Sequence, residues 1–133
     1  MKVVLDTNVF VSGVFFRGPP HEILRAWRDG RVELVVSPEI VGEYFRVGKI
    51  LSERFPGIEL EPILSLLTIE AILVSAPELP EAVCDDPDDD KFLACAIAAG
   101  AKVVVSGDRH LLKISGYHEI EVIKPREFVD DYL

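Results

Sequence analysis

Short runs of consecutive apolar residues alternate along the chain with segments in which apolar positions recur every three or four residues. The runs at residues 3–5, 32–36, 71–74, 103–105 and 120–123 read as strands, and the three valines of 103–105 are too few and too β-branched for a helix. Between them, residues 8–15 begin a short helix that Arg17-Gly18-Pro19-Pro20 breaks. Pro20 then suits the first turn of a second helix, which runs through residue 28 with Ile23, Leu24 and Trp27 on one face and ends at Asp29-Gly30. Ser37 and Pro38 form an N-cap and first helical position, opening a helix that carries Ile40, Val41, Tyr44, Phe45 and Val47. Residues 48–57 read as a break with one further helical turn, and residues 62–67 as another helix. Pro77 and Pro80 mark the connection to a second half in which an acidic helix start leads through Ala94, Ala96, Ala98 and Ala99 to a stop at Gly100. A turn of helix at Leu111-Leu112 and a C-terminal helix over residues 125–133 complete the pattern. Strands that alternate with helices throughout predict an α/β fold of three layers, a parallel sheet with helices on both faces, in one domain spanning residues 1–133.

Composition changes this picture little. About half the residues are apolar (49%), no run reaches transmembrane length, and the N-terminus enters a strand directly, so no signal peptide or membrane partner is expected and a cytoplasmic location is the default. Cys84 and Cys95 are the only cysteines and form no metal-ligand pattern with His21, His110 or His118; both read as reduced thiols, Cys95 inside its helix. Charge matters more. Fourteen basic against twenty-three acidic residues give a net charge of -9, which opposes binding of a polyanion unless the excess acid is gathered around a cation.

The acids are indeed gathered. Asp85, Asp86, Asp88, Asp89 and Asp90 surround Pro87, Asp108 follows the 103–105 strand through Ser106-Gly107, and Asp6 follows the first strand. In an open α/β sheet, ligands bind beyond the carboxyl ends of strands. Glu43 lies on the Ile40 and Val47 side of its helix and faces a packed or cleft environment. Singly, each acid has an ordinary reading: Asp6 and Asp108 as turn or cap residues, one of Asp88 to Asp90 as a helix-start acid, Glu43 as a solvated helix residue. Together they are harder to explain that way, because two carboxylates about 4 Å apart repel by roughly 4 kcal/mol at an effective dielectric near 20. Such a cluster needs protons or cations. Oxygen ligands without cysteine or histidine suit Mg²⁺ or Mn²⁺, and the matching chemistry is metal-assisted phosphodiester hydrolysis. Lys91 and Arg109 flank the acids and could hold a phosphate, with Arg17 a looser choice; Trp27, Tyr44 and Phe45 read as core rather than base-stacking platforms.

The residues that carry this pattern resemble PIN-domain ribonucleases, among them the VapC-like toxin components of prokaryotic toxin-antitoxin pairs. The resemblance spans the chain. It rests on Val3-Val4-Leu5-Asp6-Thr7-Asn8-Val9, residues 37–43, Asp86-Pro87-Asp88-Asp89-Asp90-Lys91-Phe92-Leu93, and Val105-Ser106-Gly107-Asp108 with Leu111-Leu112. It implies that Asp6, Glu43, Asp90 and Asp108 form the metal site and that Asn8 and Ser106 orient acids or waters by hydrogen bonds. Asp88 is an extra or replacement ligand, since the aspartate run leaves the register open by a residue or two. Ser106 keeps the hydroxyl of the family's usual threonine. The resemblance also implies an RNA substrate, a homodimer, and a cognate antitoxin protein for toxin members.

Other classes fit less well. Response-regulator receivers want an acidic pair after the first strand and a lysine ending a late one, whereas Asp6 precedes Thr7-Asn8 and Lys102 starts a strand. A phosphatase with an aspartyl nucleophile also wants the second aspartate that is missing after Asp6. A PIN scaffold that binds RNA or a partner protein without cleaving is the nearest rival, because fold does not settle function.

Overall fold

A computed structural model describes residues 1–133. Five strands, β1 (Lys2–Leu5), β2 (Glu33–Val36), β3 (Ile72–Leu73), β4 (Val103–Val105) and β5 (Glu121–Ile123), form one sheet in the order β3-β2-β1-β4-β5, every pairing parallel. The chain works outward from β1 to β3, then returns to β4 beside β1 and on to β5. Right-handed crossovers place the helices of the outward and return runs on opposite faces of such a sheet. The outward run carries α1 (Thr7–Phe15), α2 (Pro19–Arg28), α3 (Pro38–Arg54) and α4 (Glu61–Glu70). The return run carries α5 (Asp90–Ala99), which lies against β1, β2 and β4, and the short α6 (Arg109–Leu112); α7 (Pro125–Tyr132) packs back on α2. This is the expected three-layer α/β/α arrangement. A core of 34 buried residues holds the layers together, with the central β1 and β4 fully buried from Val3 to Leu5 and Val103 to Val105.

Several expected boundaries are corrected. Helix α3 does not break at Gly48 but runs on to Arg54. Gly48 is a packing residue there: a Cβ at this position would meet Leu60 Cδ2 at 3.3 Å, so the missing side chain lets the segment before α4 approach. Strand β3 keeps only two of the four residues expected, and Phe45 is 37% exposed rather than core. Tyr44 and Trp27 are core as expected: the Tyr44 ring stacks on Phe10 with centroids 4.1 Å apart, and its hydroxyl donates to the Leu5 carbonyl. The acidic run opens with a 3₁₀ turn, Pro87–Asp89, capped by the Asp86 carboxylate, and α5 begins only at Asp90. Gly100 ends α5 in the left-handed conformation (φ 69°). No helix is long and apolar enough to cross a membrane.

Candidate active site

Strand register builds the site. Leu5 pairs with Val105, so the next residues, Asp6 and Ser106, leave β1 and β4 side by side. This is the point where the strand order reverses, and the two chains diverge there to leave a crevice. Asp6 caps α1, its Oδ1 accepting the Val9 N–H at 2.8 Å, while Oδ2 accepts the Ser106 hydroxyl. The Ser106 oxygen in turn accepts the Asp108 N–H at 2.9 Å. One hydroxyl therefore sets the relative position of two acids. Asp108 caps α6 by accepting the His110 N–H at 2.8 Å. The ordinary cap readings of Asp6 and Asp108 are thus correct as far as they go, and each carboxylate keeps lone pairs beyond its cap.

A cavity of about 200 Å³ lies over this crevice. Asp6, Glu43, Asp89 and Asp108 line it, together with Thr7, Asn8, Arg46, Val47 and Phe92. Glu43 arrives from the middle of α3 on the buried side, where the three-and-four spacing from Ile40 and Val47 predicts it. Its Oε1 accepts the Thr7 hydroxyl, and its Oε2 lies 2.7 Å from Lys91 Nζ and 3.8 Å from Arg46 Nη2.

Asp90 does not join them. Its Oδ1 accepts the Cys84 N–H at 2.8 Å and its Oδ2 the Val83 N–H at 3.1 Å, so it fastens the preceding loop and lines a separate, larger cleft of about 520 Å³. Asp89 faces the cavity in its place. Consecutive residues in a helical turn point roughly 100° apart, so only one of three adjacent acids can face a given direction. Asp88 points outward and pairs with Lys91 at 2.9 Å. Of the expected phosphate ligands, Lys91 is held within this acid network and Arg109 is exposed on α6 with no ion pair. Asn8 is exposed at the cavity mouth, and His110 is engaged outside it, 3.1 Å from Asp85. Thr7 and Arg46 were not expected. Thr7 was hidden because a threonine beside a strand-end acid has no periodicity of its own, and Arg46 because its distance to Glu43 follows from the helix only once Glu43 is placed.

The electrostatics show acids facing one another. Burial pushes the Asp6 carboxyl above its ordinary range, the Ser106 and Val9 hydrogen bonds oppose this, and Asp108 and Glu43 push it further up. Burial, followed by the charges of Asp108 and Asp86, raises Asp89 to about 6. Lys91 behaves differently: its burial works against the ammonium, but hydrogen bonds to Glu43 and Asp88 outweigh this and raise it. As the side chains stand, no three acidic, histidine or cysteine groups close on a common point at coordinating distance. Glu43 is drawn toward Thr7 and Lys91. The donor set nevertheless fits a hard divalent cation: it offers only oxygen, from four acids on separate elements, and two of those acids are raised in part by their neighbours' charges. Asp6, Asp89 and Asp108, with Glu43, are the groups that could hold one.

Comparison with known proteins gives the family. A family model described as PIN domain matches residues 2–110, a span that includes all four cavity acids. The chain is also 31% identical to an uncharacterized protein of Methanocaldococcus jannaschii over 145 aligned positions, covering 99% of this chain and 92% of that relative. With the family model spanning most of the sheet and every residue of the acidic cavity, this chain belongs to the PIN-domain family, a nuclease-type fold.

Proposed function

We propose that the chain is a metal-dependent endoribonuclease. The observation that carries this reading is that Asp6, Glu43, Asp89 and Asp108, from four separate elements, line one cavity at the point where the strand order reverses. Mg²⁺ or Mn²⁺ held by these carboxylates would supply activation of a water and charge neutralisation at the scissile phosphate. The chain's own groups prepare that site. Ser106 fixes Asp6 against the Asp108 backbone, Thr7 fixes Glu43, and Arg46 and Asn8 at the mouth offer a positive charge and an amide to a phosphate. The register differs from the family-based expectation in one respect, since Asp89 replaces Asp90 as the inward acid.

The test is cleavage of an end-labelled RNA by purified protein in Mg²⁺ or Mn²⁺, beside lanes with EDTA and with Asp6→Asn. Asparagine keeps the cap on Val9, and its NH2 can donate to the Ser106 oxygen where the carboxylate accepted from it, so the variant removes charge while both neighbours keep a partner. Cleavage lost in both control lanes supports the proposal; equal cleavage in every lane identifies a contaminant and defeats it.

The finer reading is a cytoplasmic toxin that acts as a homodimer and is restrained by a cognate antitoxin. It rests on the VapC-like motifs; exposed Ile50 of α3, Ile69 of α4 and Leu73 of β3 add apolar surface that a second copy would cover. Light scattering that gives the mass of one chain would exclude the homodimer. The rival scaffold reading draws on one observation, the capture of Glu43 by Lys91.

A further inference from the structure

Lys91 is the least ordinary charge in the molecule. Its side chain is only 13% exposed, although lysine is seldom buried without a partner. All three ammonium protons have acceptors: Glu43 Oε2 at 2.7 Å, Asp88 Oδ2 at 2.9 Å and the Asp88 carbonyl at 2.8 Å. Nζ also lies over the Phe92 ring, 5.0 Å from its centroid, which adds a fourth contact to the head. A surface lysine in a solvated pair would not be held at four points.

Its position divides the acids into two groups. Glu43 and Asp88 share the ammonium, whereas Asp6, Asp89 and Asp108 face the cavity without a cation of their own. A second divalent ion at the α3 side of the cavity would have to draw on Glu43, and there it would meet the ammonium that already lies 2.7 Å from that carboxylate and neutralises it. Asp88, which lines the neighbouring cleft beside Lys91 rather than this cavity, is held by the same ammonium, so the charge of Lys91 sits between the two carboxylates.

We infer that Lys91 is a positioning residue that stands where a second cation would sit, orienting Glu43 and limiting the resting centre to one divalent ion near Asp6, Asp89 and Asp108. This rests on the metal-dependent reading of the site and deepens it. A purely structural lysine would tie α5 to α3 without affecting how many ions the cavity takes.

The experiment is a Mn²⁺ titration of the whole 133-residue chain, with free Mn²⁺ read by electron paramagnetic resonance, for wild type, Lys91→Met, Lys91→Gln, Lys91→Arg and Asp6→Asn. Methionine keeps the stem and its packing, and glutamine keeps a polar head should methionine fail to fold. Wild type and Lys91→Arg are expected to take up one ion, and Lys91→Met or Lys91→Gln a second. An unchanged stoichiometry in a folded uncharged variant, or two ions in wild type, overturns the role of Lys91 while leaving the metal site standing. If wild type binds no Mn²⁺, or binds it equally after Asp6→Asn, the metal reading itself has failed.

Discussion

At the residue scale, Asp89 states most plainly what the site gives up. Its folded carboxyl titrates at about 6 against an ordinary 3.8, chiefly because of burial and then the charges of Asp108 and Asp86. Between those values the folded chain binds more protons than the unfolded one, so stability falls as pH rises through the window and the loss is complete above pH 6. With allowance for solvent screening of a partly exposed group, the cost is of order 1 kcal/mol. Asp89→Asn is therefore expected to melt a few degrees higher than wild type at pH 7.5 in EDTA and at the same temperature near pH 3.5. Mg²⁺ should narrow the gap at pH 7.5 by stabilising wild type alone. A melting temperature for Asp89→Asn that is equal or lower at pH 7.5 would show that the acids do not repel one another as described. The residue that weakens the fold is the one proposed to serve the chemistry.

At the scale of elements, the packing of α1 on α2 depends on close approach between the two helices. Gly13 in α1 faces α2, and a Cβ there would lie 2.7 Å from both Leu24 Cδ1 and the Pro20 carbonyl oxygen. The Leu24 side chain can move, but the Pro20 backbone begins α2 and yields only if the helix shifts. Gly13→Ala gains about 1 kcal/mol in helix propensity, yet overpacking of this type costs about 1–3 kcal/mol, so net destabilisation is expected, read as a lower midpoint in urea. A midpoint equal to or above that of wild type would mean that the two helices have room to separate.

The same scale explains what could be read from the chain beforehand. All five strands were legible because short apolar runs stand between helical periods, and Gly100 was legible as a stop because it takes a positive φ. Gly48 misled because a glycine that breaks a helix and one that admits Leu60 look alike in sequence. Asp6, Glu43 and Asp108 were identifiable from strand ends and helix spacing, and all three line the cavity. The choice among Asp88, Asp89 and Asp90 was not legible, because it turns on where the 3₁₀ turn hands over to α5 and on the Val83 and Cys84 amides that claim Asp90. The Leu5–Val105 register, which brings Asp6 to Ser106, is likewise a tertiary fact. Thr7 and Arg46 acquire meaning only after Glu43 is placed.

For the molecule as a whole, a net charge of -9 and an acid-lined cavity oppose an RNA backbone unless divalent cations intervene. The proposed function therefore has RNA and metal meet in the acidic cavity, with Asp89 rather than Asp90 as its fourth acid. The most direct measurement is single-turnover cleavage of one labelled RNA in Mn²⁺ by wild type, Asp89→Asn and Asp90→Asn, each first shown to be folded. We predict a loss of about 100-fold or more for Asp89→Asn, as expected when electrostatic stabilisation at a reacting centre is removed. Asp90→Asn should lose much less, its effect confined to the loop it fastens. Cleavage undiminished in Asp89→Asn, or lost in Asp90→Asn alone, would contradict the site assembled here.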